Sequence, residues 1–213
     1  MATKNTAPDG QRNPERTREA ILRTAIQEFS DKGLSGARVD EIARRSGANK
    51  RMIYHYFGGK EALYLAVLER TYEKIRTAER GLHLEDLDPE AGMRKLISFS
   101  FNYFRQNPEF VALLNTENLH GARFLKKSAQ IRELHTPLTS LIGQLLKRGH
   151  AAGVFRNDVD PVQLYVSIAA LGYFYFSNAA TLSTIFDRDL MEGGSLDVRE
   201  AHCIDVILGF LRP

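Results

Sequence analysis

The sequence is short of several things at once. Its 213 residues hold one cysteine, Cys203, and no tryptophan. A single thiol excludes an internal disulfide framework and a cysteine-rich zinc module, and a reducing, cytoplasmic setting is the simplest expectation for it. Cys203 lies in an apolar stripe with Ile204, Ile207 and Leu208, so it reads as a buried, inert thiol. The six histidines are scattered, without the H-x-x-x-H or H-E-x-x-H spacing of a helical metal site. His202 and Cys203 are neighbours but have no further ligands at metal spacing. Gly58-Gly59-Lys60 lacks the length and the Ser/Thr of a phosphate loop, and no Gly-x-Ser-x-Gly elbow occurs. No catalytic site, metal or cofactor is therefore expected.

Long apolar runs are nearly absent too. No apolar leader occurs in the polar residues 1–13, so no secretory signal is expected. One uncharged stretch, Val162 to Phe186, is long enough to cross a bilayer. It carries Gln163, Asn178, three tyrosines, three serines and two threonines, and Asp158, Asp160 and Asp187 flank it. A membrane span would carry Lys/Arg there. A long buried helix in a subunit interface is the expectation, and no membrane partner.

What is present is an ordinary globular composition with an uneven charge. Hydrophobic residues make up 43% and charged residues 26%, which suits a packed core. Lys+Arg 29 against Asp+Glu 26 gives +3 overall, yet residues 1–60 hold twelve Lys/Arg and seven Asp/Glu, net +5. The remaining residues are net −2. A basic first quarter on a near-neutral body points to an anionic partner for that quarter.

The patterning is helical throughout, with no sustained period-2 alternation, so the fold class is all-α. Residues 1–13 read as a disordered arm. Asn13 can cap and Pro14 open the first helix, whose stripe is Ile21, Leu22, Ala25, Ile26 and Phe29, stopped by Asp31-Lys32-Gly33. A short second helix carries Val39, Ile42 and Ala43. A third runs from about Lys50 to Tyr56, and a longer one from Lys60 to about Arg80. Gly81 to Gly92 reads as a loop. Helices are expected near 90–106, 109–118, 121–127, 130–152, 161–187 and 196–211.

The second and third helices, joined by Ser46-Gly47-Ala48-Asn49, have the layout of a helix-turn-helix. Gly47 can take the left-handed turn conformation, and Asn49 can cap the next helix. Lys50, Arg51, His55 and Tyr56 crowd the third helix. Lys60 opens the fourth, where a cation opposes the helix dipole. A cation there makes sense facing a phosphate, against the blander reading of a solvated basic face.

These residues resemble a known family. Gly33-x-x-x-x-x-Val39-x-x-Ile42-Ala43, then Ser46-Gly47-Ala48-Asn49-Lys50, then Ile53-Tyr54-His55-Tyr56-Phe57-Gly58-Gly59-Lys60-Glu61-Ala62-Leu63 is similar to the DNA-binding domain of TetR-type transcriptional regulators, over roughly residues 16–65. The family usually has Thr or Ser ahead of the second helix. Ala37-Arg38 stands there instead, so the cap is lost or shifted, or Arg38 reaches a phosphate. The resemblance implies a three-helix DNA-binding domain over 14–60 and a helical ligand-binding and dimerisation domain over 61–213. It places Lys50 and Arg51 against base edges, where either can pair with guanine, and Met52 against a thymine methyl. Tyr54, Tyr56 and Lys60 would lie along the backbone, with His55 between base and phosphate, and Arg38 and Asn49 count among the DNA-binding residues as well. It implies a homodimer through about 161–187 and 196–211, and hence double-stranded DNA with a palindromic operator.

The family's middle helices enclose a small-molecule pocket. Chemistry alone nominates its lining here: Phe101, Phe104, Asn115, Asn118, His120, Arg123, Phe124, His135, Tyr173, Phe174 and Asn178. His120 and Arg123, three apart, could share a helix face and with Asn118 hold a carboxylate. A salt bridge to Glu117 or plain exposure is the alternative. The set suits a small aromatic acid as effector. The function so implied is a ligand-responsive DNA-binding regulator, most simply a repressor. The rivals are a binding or adaptor protein that retains the helix-turn-helix without operator binding, and an all-helical enzyme for which no site is visible.

Overall fold

The computed structural model of the chain describes residues 14–213, the side chain of His135 excepted. The arm expected over 1–13 and the cap expected at Asn13 lie outside the described residues. The described residues form ten α-helices and two short 3-10 turns, with no strand among them, as the helical patterning predicts. They group into two compact units that divide between Val67 and Leu68.

The first unit holds α1 (Pro14–Gly36), α2 (Val39–Ser46), α3 (Lys50–Phe57) and the opening of α4 (Lys60–Arg80). Gly33 leaves helical geometry (φ 64, ψ 180), where the sequence places a stop, and one more helical turn follows it to Gly36. Phe29 of α1, Ile42 of α2, Ile53 of α3 and Leu63 of α4 are fully buried together with Tyr64. The Phe29 and Tyr64 rings meet edge to face at 5.1 Å.

The second unit holds the rest of α4 with α5 (Pro89–Gln106), α6 (Pro108–Leu119), α7 (Ala129–Ala151), α8 (Pro161–Ser177), α9 (Ala179–Ile185) and α10 (Gly193–Leu211). α5 is central and packs on α7, α8 and α10. Asp88, Ser128 and Asp160 cap α5, α7 and α8 by accepting the N–H of Ala91, Ile131 and Gln163. The core includes Met93, Leu96, Phe101, Ile142, Ile168, Ile207 and Cys203. The Cys203 thiol is buried as expected, and burial pushes its pKa up. At Gly149 a Cβ would stand 1.9 Å from the Phe155 ring, so only glycine lets the loop after α7 fold back.

Three sequence expectations need correction here. Residues 121–127 are not one helix: Gly121 and Ala122 turn left-handed (φ 63 and 58), and only Leu125–Lys127 winds, as a 3-10 turn. The helix expected over 161–187 breaks at Asn178, whose side-chain amide donates to the Phe174 carbonyl at 2.9 Å. α10 begins at Gly193, three residues before the expected Leu196. Within the single chain Val162, Val166, Phe174, Ile185 and Phe186 of the uncharged stretch are exposed. Among the described residues no helix is long and apolar enough to cross a membrane.

One buried charge organises the first unit. Glu28, at 0% exposure, accepts Lys32 Nζ at 2.9 Å, the Arg38 backbone N–H at 3.2 Å and Arg45 Nη1 at 3.3 Å. Burial pushes its carboxyl up, but these three donors outweigh that and hold it below its ordinary value of 4.5. It thereby ties α1 to both ends of α2. Glu28→Gln is expected to lower stability by about 1.5–3 kcal/mol at pH 7, the range for hydrogen bonds to a charged group. A group whose folded pKa is depressed stabilises above its unfolded value and loses that contribution as pH falls through the folded one. The gap between wild type and Glu28→Gln in urea unfolding should therefore be full at pH 7 and close below about pH 4.5.

Candidate nucleic-acid interface

Asn49 sets the geometry of α3. Its backbone is extended (φ −98, ψ 160) and its side chain accepts the Met52 N–H at 3.0 Å, the capping role expected of it. Ahead of it Gly47 takes the left-handed conformation (φ 69, ψ 13) and the Ala48 N–H returns to the Ala43 carbonyl at 3.1 Å, closing α2. With Ile53 and Phe57 turned into the core, Lys50, Arg51, Tyr54 and His55 stand exposed, and Met52 and Tyr56 are half-buried. The Tyr56 ring lies edge-on between His55, at 5.3 Å, and Phe57, at 6.4 Å.

The cations are not all equally free. Lys50 Nζ sits 2.9 Å from Asp40 Oδ1, and that bond raises the Lys50 pKa. Lys60 Nζ donates to the Ser35 carbonyl at 3.2 Å. Arg44 is held by Glu41 and Arg45 by Glu28. Arg51 makes no hydrogen bond or ion pair among the described residues. Arg38 stands at the cap position of α2 with extended backbone (φ −119, ψ 122), and its side chain caps nothing. No side chain replaces the lost hydroxyl cap: the Glu41 N–H turns back to the Arg38 carbonyl at 3.1 Å, Glu28 takes the separate Arg38 N–H at 3.2 Å, and the exposed guanidinium is left available. Sequence reasoning missed Asp40, Ser35 and Glu28, since their partners are set by chain folding rather than by spacing.

In the body, only part of the nominated set meets. The Tyr173 hydroxyl donates to Asn115 Oδ1, which also accepts from Ser177 Oγ at 3.0 Å, and Asn118 Nδ2 donates to the Tyr173 hydroxyl at 3.4 Å. Phe104 lies 6.1 Å from the Tyr173 ring and stacks on Phe110 at 6.2 Å. Phe101 belongs to the main core beside Tyr175 and Phe176. Phe174 faces away, 56% exposed, on an apolar groove between α8 and α10 with Val206 and Phe210. Asn178 serves the end of α8. His135 falls within α7, and its side chain lies outside the described residues.

The expected helix face shared by His120 and Arg123 does not form. α6 ends at Leu119, and the left-handed pair Gly121-Ala122 separates them. His120 Nδ1 lies 2.7 Å from the Thr116 carbonyl oxygen, and Arg123 stacks 5.2 Å over Phe124. Phe124 is buried. Its N–H and that of Leu125 donate to Glu117 Oε1 at 2.7 and 2.9 Å, so Glu117 closes this loop.

The buried charges of α4 went unnominated. Arg76 and Glu79 have side chains only 3% and 4% exposed, with Arg76 Nη1 2.8 Å from Glu79 Oε2. Arg76 Nη2 donates to the Tyr165 hydroxyl at 2.8 Å. Burial pushes the Glu79 carboxyl up to about 7, against the pull of Arg76 and Arg80. Burial likewise raises Tyr72 and Tyr165. The available signal was two charges breaking the helical stripe Leu68, Tyr72, Ile75.

A capped, basic third helix presented behind a left-handed glycine turn defines a helix-turn-helix DNA-binding protein of the all-helical kind. Residues 21–67 match the family described as bacterial regulatory proteins, tetR family, and residues 89–207 match the tetracyclin repressor-like C-terminal domain. The chain is 40% identical over 192 residues to the HTH-type transcriptional repressor NicS of Pseudomonas putida, covering 90% of each. It is 28% identical over 198 residues to the HTH-type transcriptional regulator RutR of Escherichia coli K12, covering 92% of this chain and 91% of RutR. The crystal structure of SCO4942 from Streptomyces coelicolor aligns with a TM-score of 0.69 at 25% identity, over 92% of this chain and 99% of that one. The chain belongs to the TetR family.

Asn49→Ala removes the cap of α3 and is expected to cost about 1 kcal/mol. Amide exchange within α3 should speed up roughly fivefold, a local effect that hydrogen-exchange mass spectrometry resolves.

Proposed function

We propose that this chain is a dimeric transcriptional repressor of the cytoplasm, released from a palindromic operator by a small molecule held in its helical body. The observation that carries the reading is the exposed start of α3, where Arg51, without an ion pair among the described residues, and Lys50, held only by the exposed Asp40, follow the Asn49 cap with no acid in the first turn. Arg51 is free to fork onto guanine O6 and N7 in the major groove. Lys50 reads an adjacent base once DNA displaces Asp40, and Met52 lies toward a thymine methyl. Asn49, Tyr54, Tyr56 and Arg38 bind phosphates, as does Lys60, which has two N–H donors left beyond Ser35. His55 stands between base and backbone. The repressor sign is supported by the name of its relative NicS.

The second copy covers α8 and α10. Val166, Phe174, Val198, Val206 and Phe210 are exposed there, and apolar, aromatic-rich surface with few charges is what such interfaces bury. Two-fold symmetry then sets two half-sites about one helical turn apart. The effector binds in the body, where Phe104, Asn115, Asn118 and Tyr173 meet, and acts through α4, which runs through both units. It must bind the DNA-free state more tightly than the DNA-bound one.

Two measurements test this. Selection of genomic fragments at ~150 mM salt, where purely electrostatic binding is suppressed, should recover one palindromic site, and Arg51→Ala should lose about 1–3 kcal/mol and broaden one base position. Recovery of sequence-independent fragments, or none, overturns the regulator reading in favour of a retained fold without operator binding. Phe174→Asp should convert a dimer into a monomer in sedimentation and abolish palindrome recognition; an unchanged sedimentation coefficient places the interface elsewhere.

A further inference from the structure

We propose that Arg76 is the anion anchor of the effector site and that the effector is a compact aromatic carboxylate. The inference rests on the effector reading above and names the chemistry of that site.

A guanidinium carries five N–H donors, and a buried one needs acceptors. Arg76 places one on the Tyr165 hydroxyl. Its Nε and Nη1 have no hydrogen-bond acceptor among the described residues, and neither has Glu79 Oε2 a donor, although the two charges stand 2.8 Å apart. The pair is thus an electrostatic contact with misaligned hydrogen bonds, deep in the body. The two oxygens of a carboxylate match the guanidinium fork, which Glu79, one helical turn away, does not reach in that geometry.

The surroundings suit the rest of such a molecule. A cavity of about 30 Å³ lies beside Arg76, Glu79 and Arg80, walled by Leu134, Pro137, Leu138 and Leu141 of α7. As it stands it admits about one water, so a ligand must part α4 from α7. Pro137 sits inside α7, where it removes one backbone hydrogen bond and leaves the helix weakest against the cavity. On the other side Tyr72 interacts electrostatically with Arg76, Tyr165, Tyr173 and Glu117. The Tyr72 ring meets Phe110 edge to face at 5.5 Å, and Phe110 stacks on Phe104, which lies 6.1 Å from the Tyr173 ring of the cluster with Asn115 and Asn118. Glu79 is the group displaced, and its carboxyl, raised by burial, gives up its charge near neutral pH.

A purely structural ion pair between Arg76 and Glu79 makes the opposite forecasts, so the test uses both. The full-length protein is titrated by calorimetry and thermal shift with sodium benzoate and phenylacetate, and with benzamide as the uncharged isostere, up to about 10 mM. The acids should bind and stabilise, and benzamide should not. Glu79→Gln, which frees the fork, should tighten benzoate about fivefold, a gain that a structural role does not produce. Arg76→Lys, which retains the charge and loses the fork, should weaken it about tenfold. If Arg76→Lys does not fold, the Glu79→Gln gain decides alone. No binding of either acid, equal binding of benzamide, or unchanged affinity in Glu79→Gln overturns the proposal. Operator retention by the ligand-free wild type is measured in parallel: if it persists while the acids fail, only the anchor falls, and if it fails, the regulator reading falls instead.

Discussion

Helices of eight residues do not hold themselves in water, because so few turns cannot offset the cost of nucleation. α2 and α3 are both that short, and everything the first unit can do depends on clamping them. The clamp is apolar on one side, where Ile42, Ile53 and Phe57 close against Phe29 and Tyr64. It is ionic on the other, where Glu28 draws Lys32, Arg45 and the Arg38 backbone together. The apolar contacts supply most of the free energy. The carboxylate supplies direction, since hydrogen bonds fix an angle that hydrophobic contact leaves loose.

How much of this was legible varies with the physics that sets each feature. Local chemistry was readable: Gly47 and Gly58 take positive φ and Asn49 caps α3, because each follows from residue type at a turn. Helix class was readable from the period of the apolar stripes. Boundaries set by a single non-helical residue were not, as Asn178 illustrates: its backbone (φ −113, ψ 10) divides one expected helix into α8 and α9. In the body, nomination by residue type favoured conspicuous polar and aromatic side chains and overlooked Arg76 and Glu79. Charged residues on a helix are ordinarily solvated, and burial of these two is decided by α7 and α8, far away in the chain.

The two units place their charges in contrasting ways. In the first, the cations of α3 and α4 stand at the surface, and partial partners such as Asp40 and the Ser35 carbonyl hold two of them in place. Such exposed contacts are weak because water screens and competes for them, so a stronger anion displaces them at little cost while they limit random conformations beforehand. In the second, Arg76 and Glu79 are enclosed, where pairing matters far more because water is not there to substitute.

The handling of the α2 entrance has an evolutionary side. Where a Ser or Thr caps a helix, the side chain at that position is committed to stability. Here the side chain at position 38 makes no cap bond, and the tie to Glu28 runs through its main-chain N–H, which every amino acid except proline carries. Position 38 is therefore decoupled from folding. Its side chain can drift, or be selected for a new contact, without unsettling the helix behind it, which makes it a low-risk place for one regulator to diverge from another in what it recognises.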